Sequence, residues 1–198
     1  MVVKGVTHRQ RQALATKSQV AAAARKLFAE QGYVSTTIAA IAAEADIPAP
    51  TIYSAFHTKA AILWWISQDA VSALDVDEVH DAARAHPDPA AGLRMAAGLQ
   101  RRQYEIMLDV VLIHLEAART DPEIAEINGR ILGNRERAFR AHLDAIAAHL
   151  RGSVDNALDV YLTLVQPEVY RSLVAERGWT PARYEQWLGD ALVRECLA

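Results

Sequence analysis

The sequence predicts an all-α protein. Only 9 Gly and 7 Pro occur among 198 residues, fewer than an average chain contains, whereas strong helix formers are abundant. Apolar residues recur at the helical spacing of 3.6, and no segment alternates as a half-buried strand does. With 52% hydrophobic and 23% charged residues, the chain can bury a core and is not of the disordered class.

Helices at the N-terminus are short and closely spaced. The first is predicted from about Thr7 to Gln31 and ends at Gly32, which can adopt the left-handed conformation of a helix end. Hydroxyl side chains precede the second helix, which extends to about Ala45; the candidate caps are Ser35, Thr36 and Thr37. Two short helices joined by a tight turn are typical of a helix-turn-helix.

The third helix follows Pro48-Ala49-Pro50. Because a residue that precedes proline is disfavoured in the helical region, both Ile47 and Ala49 resist helical geometry. We therefore expect Ala49 to cap this helix and Pro50 to occupy its first position, so that the helix covers only about Pro50 to Phe56.

The remainder is predicted as longer helices that begin with a polar cap or with Asp-Pro. Thr58 caps a fourth helix that continues to about Val79. The others are expected over Pro89 to Arg119 with a break near Gln100 to Gln103, Pro122 to Leu150, Ser153 to Arg177 with a bend at Pro167, and from Pro181 onward after Thr180. We expect two domains, residues 1–58 and 59–198.

Composition excludes several classes of protein. The longest apolar run, Ala60 to Ile66, is far shorter than the ~20 residues that a membrane span needs. No secretory signal is recognisable and the single Cys196 cannot form an internal disulfide, so a cytoplasmic protein is expected. Phosphate loops, zinc-binding histidine pairs and nucleophile elbows are all missing from the sequence, and we therefore expect no cofactor, no metal and no enzymatic activity.

Charge divides the chain unevenly. Residues 1–60 carry a net charge of +4 and residues 61–198 a net charge of −7. A basic N-terminal region favours a polyanionic partner. Lys4, Arg9 and Arg11 form an arm that can add salt-dependent affinity for phosphates, although a solvated tail explains these residues equally well.

One stretch of sequence resembles a known family. The residues are Leu27-Phe28-Ala29-Glu30-Gln31-Gly32-Tyr33, Thr36-Thr37-Ile38, Ile41-Ala42 and Thr51-Ile52-Tyr53 followed by Phe56 and Lys59. This pattern resembles the N-terminal domain of TetR-family transcriptional regulators. The resemblance implies an all-helical homodimer with a helix-turn-helix domain and a larger domain in which a small molecule releases the protein from its operator.

The predicted DNA contacts lie on the second and third helices and just after them. A recognition helix presents side chains near its N-terminus to the major groove and is held by an apolar back face, here formed by Ile47, Ile52 and Phe56. Tyr53 resembles the family's phosphate-contacting tyrosine, and Lys59 at a helix start can share a phosphate with the helix amides. The predicted contacts are Thr36, Thr37, Ala49, Pro50, Thr51, Tyr53, Ser54, His57 and Lys59.

The chain departs from the family pattern at three positions. Asp46 stands where the turn usually has Gly, Pro48 where Ser or Thr usually caps the recognition helix, and Ala60 where Glu usually follows the lysine. Ala49 and Pro50 can touch thymine methyl groups but donate no hydrogen bonds, so polar readout is left to Thr51 and Ser54. We expect modest base specificity and thymines opposite Ala49 and Pro50.

Two further surfaces are predicted in the larger domain. A ligand region is expected at Met95, Leu99, Gln103, Tyr104, Met107, Val111 and His114, although a plain core stripe with polar margins explains the same spacing. The last two helices carry more apolar surface than a monomer needs. They predict a two-fold dimer interface at Leu158, Tyr161, Val165, Tyr184, Trp187, Leu188 and Ala191.

The favoured hypothesis is a ligand-responsive transcriptional repressor that binds a palindromic DNA operator as a homodimer. No membrane partner is expected. One alternative is a helical ligand carrier or enzyme with a vestigial DNA-binding head, against which Tyr53, Lys59 and the basic N-terminal region argue. The other is a helical protein–protein adaptor, which needs exposed apolar residues on the recognition helix.

Overall fold

A computed structural model describes residues 7–72 and 74–198, and within these residues the regular elements are all helical. The helices are α1 His8–Gln31, α2 Ile38–Ala45, α3 Ala49–Phe56, α4 Lys59–Ser72, α5 Val76–Ala85, α6 Pro89–Ala117, α7 Pro122–Ala145, α8 Val154–Leu164, α9 Pro167–Tyr170 and α10 Pro181–Cys196. A 3₁₀ turn, Ala147–His149, follows α7, and a π-helical segment, Arg171–Glu176, directly continues α9. No helix in the described ranges is long and apolar enough to cross a membrane.

Polar caps start most of these helices, as the sequence predicts. Side-chain oxygens accept the orphan amides of the first turn. The caps and the amides they accept are Thr7 with Gln10, Thr37 with Ala40, Thr58 with Ala61, Asp88 with Ala90, Asp121 with Glu123, Ser153 with Asn156 and Thr180 with Arg183. Positive φ at Gly32 (82°) and Gly178 (70°) ends the segments that precede them.

The prediction that α3 begins at Pro50 is wrong. Ala49 is already helical, Pro48 is the N-cap, and the Pro48 carbonyl accepts the amides of Thr51 (2.9 Å) and Ile52 (3.3 Å). Pro50 therefore lies at the second helical position, where its missing N–H costs no intrahelical bond. The steric preference of Ala49 is outweighed because these first-turn hydrogen bonds form only when Ala49 is helical.

Three other boundaries differ from prediction. The expected fourth helix to Val79 divides into α4 and α5, since Asp75 interrupts it as the N-cap of α5. The break in α6 lies at Met107 (φ −141°, ψ 23°) instead of Gln100 to Gln103, and neither Pro nor Gly marks that point. The helix expected from Ser153 to Arg177 is interrupted before Pro167, because proline cannot donate the amide that would continue α8.

The chain divides into two compact units. Among the described residues, one unit contains those up to Asp69 together with Leu112–Ile127, and the other contains those within Ala70–Val111 and Asn128–Ala198. The core of the first includes Phe28, Ile41, Ile52 and Leu63, and the core of the second is formed by α6 to α10. The domain boundary expected after residue 58 stays a prediction, because the contacts within a compact unit do not show that the unit folds independently.

Candidate nucleic-acid interface

The helix-turn-helix of α2 and α3 is held from behind by apolar side chains. Ile41, Ala45, Ile52 and Phe56 are all at most 5% exposed. Between the two helices Asp46 adopts the left-handed conformation (φ 51°, ψ 43°), and its backbone N–H closes α2 by donating to carbonyls of the last turn. Aspartate tolerates this conformation better than most residues. The turn that usually contains Gly is therefore formed here without it.

The opposite face of α3 presents polar side chains to solvent. Pro50, Thr51, Tyr53 and Ser54 are exposed, with Tyr53 at 53%, while Ala49 is half-buried. His57 follows the helix as an exposed residue with positive φ (63°). This row is what a recognition helix must offer, namely a rigid backbone with free side chains at its N-terminal turns.

The two threonines at the start of α2 have different surroundings. Thr37 is exposed and caps the helix. Thr36 is 1% exposed, and its hydroxyl donates to the Gly32 carbonyl at 2.8 Å. The expectation that the Thr36 side chain faces a phosphate therefore does not fit this geometry, because a buried, satisfied hydroxyl has no access to DNA. The phosphate contact of Thr37 stays a prediction.

Lys59 has a different set of partners from the one expected. Its ammonium donates to the carbonyls of Tyr33 (2.6 Å), Thr36 (2.9 Å) and Val34 (3.5 Å), and it lies 4.1 Å from the centre of the Tyr33 ring. An ammonium has three donors, and all three are used here. The unfavourable position of a cation at the start of α4 is thus compensated by carbonyls of the segment after α1. The phosphate contact of Lys59 stays a prediction.

Positive charge surrounds the helix-turn-helix on the α1 side. No acidic residue occurs before Glu30, and α1 carries Arg9, Arg11, Lys17, Arg25 and Lys26. Lys17 lies 5.3 Å from the centre of the Phe56 ring, while Lys26 is paired with Glu44 at 2.7 Å. Residues 7–15 are exposed throughout. Lys4, the first cation of the predicted arm, lies outside the described residues.

Comparison with known proteins agrees with this geometry. Residues 20–63 match the family model of bacterial regulatory proteins, tetR family. The chain has the N-terminal domain and the fold of a TetR-family transcriptional regulator. The match covers α2 and α3 entirely and ends within α4. Among curated proteins, none matches the sequence significantly.

Solved structures extend the likeness over most of the chain. The fatty acid degradation regulator FadR from Bacillus halodurans has a TM-score of 0.73 at 16% identity, over 90% of this chain and 94% of that one. The TetR-family regulator PfmR from Thermus thermophilus has a TM-score of 0.69 at 22% identity, over 89% and 97%. A transcriptional regulator from Rhodococcus sp. Rha1 has a TM-score of 0.67 at 19% identity, over 91% and 97%. At these identities the likeness concerns the fold.

Within this TetR fold, the seven residues of the predicted ligand region are dispersed. Leu99, Tyr104, Met107 and His114 are buried, whereas the others are half-buried. His114 belongs to the first compact unit and the other six to the second. A cleft of about 460 Å³ does occur on the second unit, but its lining is Leu74, Asp75, Val79, Arg101, Arg102, Glu105 and Ile106. The predicted set does not contribute to it.

His114 is engaged with a serine that sequence reasoning did not identify. Its Nε2 lies 2.7 Å from Ser67 Oγ, and the Ser67 hydroxyl donates to the Leu63 carbonyl at 3.0 Å. Burial lowers the pKa of His114 to about 4, so the ring is neutral at pH 7. Because Ser67 uses its proton elsewhere, Nε2–H is the donor, and Nδ1 is left buried without a partner.

The predicted dimer residues are mostly in the core of one chain. Leu158, Tyr161, Val165, Tyr184, Leu188 and Ala191 are at most 3% exposed. Five of these side chains line no surface cleft and therefore cannot cover a second subunit, so that part of the prediction is wrong; the sixth, Ala191, lines a shallow cleft on the second unit. The physical reason is that an apolar stripe at helical spacing shows which face is buried but not what covers it. Trp187 alone of the seven is half-buried.

Proposed function

We propose that this protein is a DNA-binding transcriptional repressor that recognises its operator through α3. The observation that carries the proposal is the exposed polar row Thr51, Tyr53 and Ser54 on a helix whose back face is fully buried. Thr51 and Ser54 read base edges, and Tyr53 with the basic side chains of α1 contacts phosphates. Affinity comes largely from phosphates, since Ala49 and Pro50 offer only apolar contact.

We further propose a two-fold homodimer formed by the outer faces of α8 and α10. A shallow cleft of about 370 Å³ lies on these helices, lined by Asp159, Val160, Thr163, Leu164, Trp187, Ala191, Arg194 and Glu195. Half-buried apolar side chains form its floor, and both signs of charge flank them. A two-fold axis places the patch of one subunit against the same patch of the other, so that opposite charges can face one another. This face keeps Trp187 and Ala191 of the residues predicted from sequence and replaces the other five.

A dimer gives the protein two recognition helices. Two α3 helices about one turn of B-DNA apart, roughly 34 Å, read a palindrome. Release by a small-molecule effector bound in the second unit completes the proposed cycle. The likeness to FadR and PfmR supports a regulator of this type, while the operator and the effector of this chain are set by its own residues.

The test is a binding titration on the DNA upstream of the protein's own gene. Fluorescence anisotropy at several salt concentrations should give a steep negative slope of log affinity against log salt. Tyr53→Phe should lower affinity with little change in thermal stability, and Thr51→Ala should alter sequence preference. Gln186→Ala, exposed on α10, is the matched control and should change neither. Absence of salt-dependent binding to any duplex contradicts the proposal.

A further inference from the structure

The core of the second unit contains hydrogen-bonding groups that have no partner. The hydroxyls of Tyr161 and Tyr184 and the Nε of Arg135 are buried without a partner. Tyr161 and Tyr184 are themselves at most 1% exposed. Buried polar groups in folded proteins are nearly always paired, and leaving one unpaired costs about 1–3 kcal/mol. These three groups require an explanation, and His142 Nε2, elsewhere in the same unit, is likewise buried without a partner.

Two other donors of this core share one acceptor. The carbonyl of Val165, at the C-terminal end of α8, accepts from the Tyr104 hydroxyl and from Arg135 Nη2, the latter at 2.7 Å. Burial raises the pKa of the Tyr161 hydroxyl, and the positive charge of Arg135 opposes that rise. Burial likewise raises the pKa of Tyr184, again opposed by Arg135. The charge of Arg135 thus opposes the rise in pKa of both unpaired hydroxyls. The Val165 carbonyl accepts from the two donors that are paired, the Tyr104 hydroxyl and Arg135 Nη2.

Arg135 is half-buried with its Nε buried, yet no ion pair joins its guanidinium to a carboxylate among the described residues. Its contacts include the Val165 carbonyl, the Tyr104 hydroxyl and the face of Phe139, whose ring centre lies 5.5 Å away. The neighbouring helices place their acids elsewhere: Glu185 pairs with Arg101 and Asp155 with Arg140. A desolvated cation without a counter-ion is costly. An oxyanion would supply both the missing charge and acceptors for the unpaired donors.

The surroundings of the donors are aromatic and apolar. Rings follow one another through the core, with centres 5.2 Å apart for Tyr104 and Tyr170, 4.7 Å for Tyr170 and Tyr184, and 3.9 Å for Phe139 and Tyr161. A strongly hydrated inorganic anion loses its water shell here, whereas a carboxylate on an apolar body buries favourable surface. A cationic ligand is disfavoured because Arg135 already occupies the aromatic face.

Irregular backbone borders the same place. Val165 ends α8, Pro167 begins α9, and the π-helical segment Arg171–Glu176 follows at once. π-Helical turns are frequent at functional sites, and chain breaks of this kind have fewer internal hydrogen bonds to lose on opening. The segment between α8 and α10 is therefore the part of this core through which a ligand can enter.

We propose that Arg135, with the hydroxyls of Tyr161 and Tyr184, binds the carboxylate of an apolar effector in the core of the second unit. The inference rests on the proposed function and specifies the chemical class of its effector. No covalent step is involved. Occupancy satisfies the three orphan donors and fixes the segment from α8 to α10 in one arrangement.

The test uses the purified full chain without DNA, so that its outcome is independent of operator binding. Thermal unfolding is recorded with octanoate and benzoate, with the matched alcohols octanol and benzyl alcohol, and with octylamine. We expect at least one carboxylate to raise Tm saturably by several degrees, and its alcohol and amine to have no such effect. No rise with either carboxylate, or an equal rise with the alcohols, overturns the proposal.

Variants then assign the effect to the site. Arg135→Gln should abolish the carboxylate-dependent rise, whereas Arg137→Gln, an exposed neighbour on α7, should retain it. Tyr184→Phe removes an unpaired hydroxyl, so the protein without ligand should be as stable as the parent or more so, while carboxylate affinity falls about tenfold. This second variant keeps the test valid if Arg135→Gln does not fold. Unchanged affinity in Tyr184→Phe means that the hydroxyl serves only ordered water, and overturns the assignment.

Discussion

At the scale of single residues, Lys59 illustrates how one side chain can satisfy two constraints. Its position resembles a phosphate-binding lysine, yet its ammonium closes the segment after α1 through three carbonyls. Sequence can identify the position but not the partners, because the carbonyls belong to a turn 23 to 26 residues away. Thr36 and Lys59 are therefore the two predicted contacts whose geometry differs most from expectation.

Lys59→Ala separates the two roles. Removing the ammonium leaves the carbonyls of Tyr33 and Thr36 without this donor, and we expect the free energy of unfolding to fall by about 1–2 kcal/mol, less than a fully buried charged bond because the site is partly exposed. Urea denaturation measures this loss. Lys26→Ala, which breaks an exposed pair with Glu44, is the control and should lose less. Unchanged stability together with a weaker salt dependence of DNA binding favours the phosphate role instead.

His114 gives the protein a sensitivity to acid. Its pKa is about 4 when folded because of burial, against an ordinary value of 6.5. The folded state therefore resists protonation, so stability is complete above about pH 6.5 and is lost as the pH falls toward 4. Between pH 7 and pH 5 we expect a loss of roughly 2 kcal/mol from this residue.

The measurement is urea denaturation of the parent and of His114→Gln at pH 7 and pH 5. Glutamine can still donate to Ser67 but does not titrate, so the variant should be less sensitive to pH by about that amount. His142, also buried with a pKa lowered to about 4, remains in both proteins and supplies a common background. Identical pH dependence in the two proteins would show that folding does not lower the pKa of His114.

At the scale of secondary structure, most helix starts were predictable from sequence, whereas the break inside α6 was not. Starts are written in short local patterns, such as Asp121 before Pro122, whose side chain accepts the first free amides. The break at Met107 has no local pattern, since its backbone departs from helical geometry without Pro or Gly. At Ala49 the steric effect of the following proline predicted a non-helical conformation. That prediction failed because the hydrogen bonds of the whole first turn outweigh the effect.

The turn between α2 and α3 makes a direct prediction. Asp46 has φ 51° and is exposed, with its backbone N–H closing α2. Glycine adopts this conformation without the steric cost of a Cβ. Asp46→Gly should therefore raise the free energy of unfolding by up to about 1 kcal/mol, whereas Ala43→Gly, at an exposed position within α2, should lower it by about the same amount. Thermal unfolding of both variants tests the sign, and a loss in Asp46→Gly would mean that its carboxylate stabilises the turn.

At the scale of the whole molecule, the apolar residues of α8 and α10 belong to two groups that the sequence alone cannot distinguish. Leu188 and Tyr184 complete the core of one chain, while Trp187 and Leu164 line its outer face. All share the helical spacing, and only the position of α6 and α7 behind them decides which side is inside. The site proposed around Arg135 was missed for a related reason: its arginine and two tyrosines come from three helices, α7, α8 and α10.

The outer face gives the sharpest prediction for the assembly. Trp187→Glu and Leu164→Glu place a charge on the proposed interface at half-buried positions, so each should yield a folded monomer. Leu188→Glu buries a charge at a position with 0% exposure, so it should unfold the chain instead. Light scattering and circular dichroism distinguish these outcomes. Because one recognition helix contacts only half of a palindrome, the monomers should bind operator DNA at least a hundredfold more weakly, equivalent to roughly 2.7 kcal/mol. A Trp187→Glu protein that stays dimeric excludes this face as the interface.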